Sequence, residues 1–445
     1  MSVDREATEE DHRRLLALAA AGLAVGALAG LVGTAFHLAL VAAERFRASM
    51  LEWAHGSPAV GWLAPVLLAG AAAFVARWLV RRYAPEASGS GVQRVEEIIR
   101  GDVNPMRPAV LPVKFIGGVL ALGTGMALGR EGPTVQMGAT IGHLCSRLFK
   151  LRDGDARVLL AAGAGAGLAA AFNAPLAGAI FVFEELLRRF ELRVAVATFA
   201  ACSAALAVMR WLIGDSLVFS VPSIEVELFP GYLLFLVLGG IMGALGAVYN
   251  RMIIAGLDLA DRLRRVPPEI PAAMVGGVVG LLAWQWPNVV GGGESQVQGV
   301  LDGGYSVGAL GFLLAVRLLL GPLCYAPGLP GGLFAPLLVV GAAAGMLFGV
   351  AVQTLFPAVM TPLPAFAAVG MGALFVGVVR APTTGIALVV EMTGATGLFV
   401  PLLTACASAV AVPSMLGSQP IYDTLQTRDA AQQRGRARRN DSGQG

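Results

Sequence analysis

Apolar stretches alternate with short polar connections along almost the whole chain. After an acidic, polar start at residues 1–14, residues 15–43 run without a formal charge, longer than the roughly 20 residues that span a bilayer. This predicts a retained membrane helix, because a cleaved signal wants a basic start and an apolar core of only about 7–15 residues. Further apolar stretches lie near 61–80, 109–128, 134–148, 157–183, 194–213, 230–255, 271–290, 309–325, 333–355, 363–379, 383–393 and 398–416. Several are too short to span unaided, and those are bounded by Gly and Pro clusters at 129–133, 173–175, 327–336 and 380–382. The pattern predicts helices broken inside the membrane, which are tolerated only where their freed backbone groups line a cavity or are buried in protein. The chain thus divides into a polar N-terminal tail (1–14), a membrane body (15–422) with halves of about 15–215 and 230–422, and a short polar C-terminal tail (423–445).

Composition narrows this further. The 445 residues are 56% apolar and 14% charged, against about 25% charged in an ordinary soluble domain. That excludes a soluble globular protein and predicts one all-α, polytopic integral membrane body. With 58 glycines and only 7% aromatic residues, small side chains must provide much of the helix packing. Gly163, Gly165 and Gly167 belong to that packing, since no strand or G-K-[ST] accompanies them as a nucleotide loop requires. The net charge is +3, Lys114 and Lys150 are the only lysines, and the arginines are scattered between apolar segments; no nucleic-acid face is implied. Cys145, Cys202, Cys324 and Cys406 lie far apart, so neither a metal site nor a disulfide framework is expected, and no cofactor is called for.

The two halves resemble each other. Residues 161–184 (AAGAGAGLAAAFNAPLAGAIFVFE) and 368–391 (AVGMGALFVGVVRAPTTGIALVVE) agree at nine of 24 positions, including Ala174-Pro175 with Ala381-Pro382 and Glu184 with Glu391. Just upstream, Gly129, Pro133, Gly138, Ala139 and Gly142 match Gly332, Pro336, Gly341, Ala342 and Gly345. Two blocks in the same order indicate a duplicated membrane unit, with the substrate site where broken helices of the two halves meet. Whether the repeat is inverted or parallel depends on the span count, which stays open.

The chemistry gathers at the helix starts. Gly129-Arg130-Glu131-Gly132-Pro133 puts a carboxylate at a helix start with proline suited to the first turn, and Phe334 stands where Glu131 stands in the other half. Two amide-rich helix starts aimed at one region make an anion-binding device. A tethered carboxylate beside it occupies the site when ionised and leaves it when protonated; the alternative is that Glu131 caps its own helix and pairs with Arg130. Ser88-Gly89-Ser90-Gly91 reads as another helix start, where a hydroxyl and free amides replace part of an anion's hydration without trapping it, or else as an ordinary cap. A nucleophilic serine is disfavoured, because a G-x-S-x-G elbow would need glycine where Ser88 stands and the four histidines supply no base motif. Glu184 has its repeat counterpart in Glu391, whereas Glu185 faces Met392 and is therefore the candidate for a role confined to one half, such as proton relay. The alternative for both is a solvated helix end paired with Arg188 and Arg189.

These motifs together resemble the membrane domain of the CLC family of chloride channels and chloride/proton exchangers, over roughly residues 15–422. Gly89-Ser90-Gly91-Val92, Gly129 to Pro133 and Gly332-Leu333-Phe334-Ala335-Pro336 appear in order, with Lys114 in L-P-V-K-F and Pro420-Ile421-Tyr422 near the end. The resemblance implies a homodimer in the inner membrane, one pathway per subunit and an inverted repeat in each. It implies chloride held by the hydroxyls of Ser90 and Tyr422 and the amides of Leu333 and Phe334, with Gly91, Arg130 and Gly132 in support. It implies Glu131 as the gating glutamate, Glu185 as the inner glutamate of proton transfer, and Glu96 with Lys114 as a nearby charge pair. Gln93 stands where the family often has proline, which bears on the shape of the inner anion site. The function implied is chloride/proton antiport, with a passive chloride channel on the same fold as the alternative.

Overall fold

The computed structural model describes residues 2–57, 59–221, 231–263, 265–358 and 360–442, with side chains placed over 12–57, 59–221, 232–263, 265–358 and 360–431. The first half consists of α1 (Ser2–His55), α2 (Leu63–Tyr83), α3 (Val92–Arg100), α4 (Val110–Gly123), α5 (Glu131–Leu148), α6 (Asp153–Phe172), α7 (Pro175–Phe181) and α8 (Leu192–Ile213). The second consists of α9 (Gly231–Arg262), α10 (Glu269–Gln285), α11 (Glu294–Leu301), α12 (Val307–Tyr325), α13 (Phe334–Leu355), α14 (Leu363–Val379), α15 (Pro382–Thr393) and α16 (Phe399–Met415), followed by α17 (Ile421–Ser442). Eight helices are long and apolar enough to cross a membrane among the described residues. Neither tail boundary expected from the charge pattern coincides with the end of an element. The polar residues after Met1 continue α1, and α17 runs through the 422/423 boundary into the polar tail. Residues 222–230, where the halves join, lie outside the described residues.

Each helix of the first half has its counterpart eight places later, and the equivalents α2 and α10, like α7 and α15, pack on one another. A Cβ added at Gly276 of α10 would meet the Ala69 carbonyl oxygen of α2 at 2.4 Å, and one at Gly280 would meet that of Pro65 at 2.3 Å. One turn forward on α10 is one turn back on α2, so equivalent spans run antiparallel. That settles the open orientation: the repeat is inverted. At its centre Gly129 and Gly332, which are equivalent residues, form an antiparallel bridge with hydrogen bonds of 2.8 and 2.7 Å in the two directions.

The sequence matches become matching contacts. Gly138 lies against Gly163, and their equivalents Gly341 and Gly370 lie against each other. An added Cβ would fall 2.1 Å from the Gly163 carbonyl oxygen in the first pair and 2.5 Å from that of Gly370 in the second, distances only glycine accommodates. Both α6 and α14 are buried along nearly their whole length. They end on equivalent left-handed residues, Asn173 (φ 51°) and Arg380 (φ 71°), and Ala-Pro then starts the next helix in each half. Glu184 accepts from the Thr383 and Thr384 amides at the start of α15, while Glu391 accepts from the Leu176 and Ala177 amides at the start of α7. Each half's conserved-in-repeat carboxylate therefore caps the other half's broken helix. All four cysteines are buried and unpaired.

Replacing Gly138 with valine is expected to cost several times more stability than Gly154→Ala, whose added Cβ meets nothing within 4 Å. Overpacking of this kind costs about 1–3 kcal/mol. Thermal unfolding in detergent checks it; equal melting temperatures for the two variants would contradict the close-packed reading.

Candidate functional site

Four helix starts converge near the centre, and glycine is what lets them. A Cβ on Gly132 would lie 2.5 Å from the Ser90 Oγ and 3.0 Å from the Cα of Gly332, so the starts of α3, α5 and α13 touch through hydrogen atoms alone. Gly91 takes a left-handed φ of 84° and α3 begins at Val92, so the helix start survives with Gln93 in its first turn. Ser90 is fully buried, and its amide donates to the Tyr325 hydroxyl at 3.4 Å. Tyr422, at the start of α17, is also fully buried and its hydroxyl faces that of Ser90. Both hydroxyl oxygens lack a hydrogen-bond partner of good geometry within the protein. Buried hydroxyls ordinarily find partners, and a pair of them opposed at a helix start offers two donors to an anion. Phe334 forms the wall beside them, with ring centroids 4.7 Å from Phe375 and 6.2 Å from Tyr422.

Glu131 sits directly on the other half's helix start. Its Oε1 accepts from the Phe334 amide at 2.7 Å and the Ala335 amide at 3.3 Å, while Oε2 is buried and unpartnered. The carboxylate fits because Gly129 and Gly332 flank it; a Cβ on either would come within 2.4 Å of a carboxylate oxygen. A carboxylate group here stands where a halide or other small anion would receive the same amides. Glu131 does not turn back on Arg130, whose guanidinium instead pairs with Glu294 at 2.8 Å, donates to the Ala171 carbonyl at 3.0 Å and contacts His37.

The second glutamate is separate. Glu185 lies in a π-helical continuation of α7, Val182–Leu187, and is 4% exposed. It borders a cavity of about 630 Å3 shared with Glu184, Arg188, Arg380, Pro420 and Asp423. The expected pair between Glu96 and Lys114 does not form. Lys114 is buried and its Nζ donates to the carbonyls of Ala87 (3.1 Å) and Gly89 (2.7 Å), stiffening the turn that presents Ser90. Glu96 takes Arg100 one turn along its own helix, with Gln426 and Arg188 from other segments. Of the two amides expected to hold chloride, that of Phe334 donates to the Glu131 carboxylate, together with that of Ala335. Ala335 and Tyr325 went unnoticed in the sequence because amides and lone tyrosines carry no spacing signal. Tyr325 meets Ser90 from 235 residues away.

A further cavity, about 710 Å3, opens beside Ser88 and Gly89 and is lined on its outer side by Glu97, Asp261, Arg428 and Asp429. Burial pushes the Asp429 carboxyl up from its ordinary 3.8 to about 6, with Glu97 and Asp261 adding to the rise and Arg428 and Arg94 opposing it. An acid whose pKa is raised by folding costs nothing below its unfolded value and destabilises progressively as pH climbs from that value to the raised one. Asp429→Asn is therefore expected to match the parent's melting temperature below about pH 4 and to exceed it above about pH 6. The same difference at both ends of the range would contradict the burial of this carboxylate.

An inverted repeat of broken helices, with their starts turned toward a buried carboxylate and two hydroxyls, defines a membrane protein with an internal anion pathway. The chain belongs to the CLC family, its residues 72–414 matching the family described as voltage gated chloride channel. It is 42% identical over 414 residues to the H(+)/Cl(-) exchange transporter ClcA of Vibrio parahaemolyticus, covering 90% of this chain and 87% of that protein. It is 38% identical over 439 residues to the ClcA of Klebsiella pneumoniae, covering 96% and 92%. A solved structure of a slow cyanobacterial Cl-/H+ antiporter superposes with a TM-score of 0.89 at 33% identity, covering 94% of this chain and 99% of the other.

Proposed function

We propose that the protein is a chloride/proton antiporter of the inner membrane, working as a homodimer with one pathway per subunit. The observation that carries this is the Glu131 carboxylate seated on the Phe334 and Ala335 amides. Chloride, held between the Ser90 and Tyr422 hydroxyls, competes with that carboxylate for the amides. Protonation removes the charge that holds Glu131 in place, so each proton taken up favours an anion entering behind it. Arg130 fixes the approach by tying α5 to Glu294 of the other half, and Gly91 and Gly132 provide the close helix starts. Glu185, buried beside a cavity, supplies the inner station for the proton. That second station favours exchange over a passive channel, and the relatives are named exchange transporters.

Liposomes loaded to give a chloride gradient test the proposal. Wild-type protein is expected to move protons against their gradient as chloride runs down its own. Glu131→Gln is expected to keep chloride flux while losing proton movement, and Glu185→Gln to lose proton movement far more than chloride movement. Chloride flux without opposed protons in the wild type would make the protein a passive channel.

A further inference from the structure

Glu185 and Tyr422 belong to different segments, and the proposed exchange requires that the proton on one be felt at the other. The charged groups near the Glu185 carboxyl are Glu96, Arg188, Asp423 and Glu184. Glu184 is held by the amides of α15, and Glu96 by Arg100 and Gln426. Among the cations lining the cavity, Arg380 is committed to Ser414 at 2.6 Å and the Ser418 carbonyl at 2.7 Å, and Arg189 to Glu191 at 2.7 Å. Arg188 is different. It ends the π-helical turn in a left-handed conformation, φ 55°, three residues beyond Glu185. From there its Nη2 pairs with Asp423, and it lies 3.3 Å from Glu96. Asp423 directly follows Tyr422, in the first turn of α17.

Resting on the antiport reading above, we infer that Arg188 is a positioning residue that links the proton station to the chloride gate. While Glu185 is neutral, Arg188 holds Asp423 and with it the start of α17, so the Tyr422 hydroxyl stays against Ser90. When Glu185 gives up its proton, a buried carboxylate appears beside a guanidinium already shared by two others. A buried charge without a partner is costly, so Arg188 is drawn inward and its hold on Asp423 weakens. Tyr422 is then free to move from the inner mouth of the site. The device needs three anions around one mobile cation, and Glu96, with its own second cation in Arg100, is the anchor about which Arg188 turns.

Proton and chloride fluxes measured together in liposomes test this on the full-length protein. Arg188→Gln and Asp423→Asn are each expected to lower proton movement per chloride roughly five-fold, the factor that about 1 kcal/mol of a partly screened pair commands. The reversed pair, Arg188→Asp with Asp423→Arg, is expected to restore part of the coupling lost in either single variant. A ratio unchanged in both single variants overturns the linkage. Equal losses of proton and chloride flux overturn it too, since that is what a purely structural ion pair gives. Wild-type protein that moves chloride without protons overturns the antiport reading and the linkage together, whereas a coupled wild type with equally coupled variants overturns the linkage alone.

Discussion

The contact on which the structure turns is a carboxylate from one half of the chain resting on backbone amides of the other. Glu131 starts α5, yet its Oε1 is bound by Phe334 and Ala335 at the start of α13. A helix start carries about half a positive charge and unsatisfied N–H groups, which attract an anion without the permanence of a full countercharge. That balance matters for transport, because an ion bound by arginine in a low-dielectric site leaves slowly. The charged arginine nearest Glu131 in sequence, Arg130, is accordingly turned away to Glu294 and Ala171.

Everything around this contact serves to bring helix starts close together. The inverted repeat sets equivalent segments face to face about a local two-fold, which is why Gly129 and Gly332 exchange hydrogen bonds and why Glu184 and Glu391 cap each other's partner helices. Glycine pairs such as Gly138 with Gly163 and Gly341 with Gly370 hold α5 on α6 and α13 on α14 at backbone contact. In lipid, where burial of apolar surface gives helices little reason to associate, such close packing is the main source of cohesion. Two carboxylates have no counterpart in the other half: Phe334 stands at the position equivalent to Glu131, and Met392 at that equivalent to Glu185.

Much of this was legible in the primary structure. Charge-free stretches marked the spans, Gly and Pro clusters marked the broken helices, and the aligned blocks marked the duplication. The block alignment also identified Glu185 as lacking a partner in the other half. What was not legible depends on direction and distance. The inverted orientation was implied by the motif resemblance but not by the aligned blocks themselves; the antiparallel run of α2 and α10 rests on Gly276 and Gly280 lying against Ala69 and Pro65. The pairing of Glu96 with Lys114 failed because a fully buried ammonium found two loop carbonyls nearer to hand, while Arg100 was already one helical turn from Glu96. Arg188 and Asp423 meet across 235 residues, and no local spacing announces such a pair.

Competition between chloride and the Glu131 carboxylate for the same amides is the central claim, and calorimetry of chloride binding tests it most directly. Titrations in buffers of different ionisation enthalpy reveal whether protons move when the anion binds. The wild-type protein is predicted to take up protons as chloride displaces the carboxylate, and Glu131→Gln to bind chloride with no proton uptake. Chloride binding without proton uptake in the wild type, or equal uptake in the glutamine variant, would contradict the account.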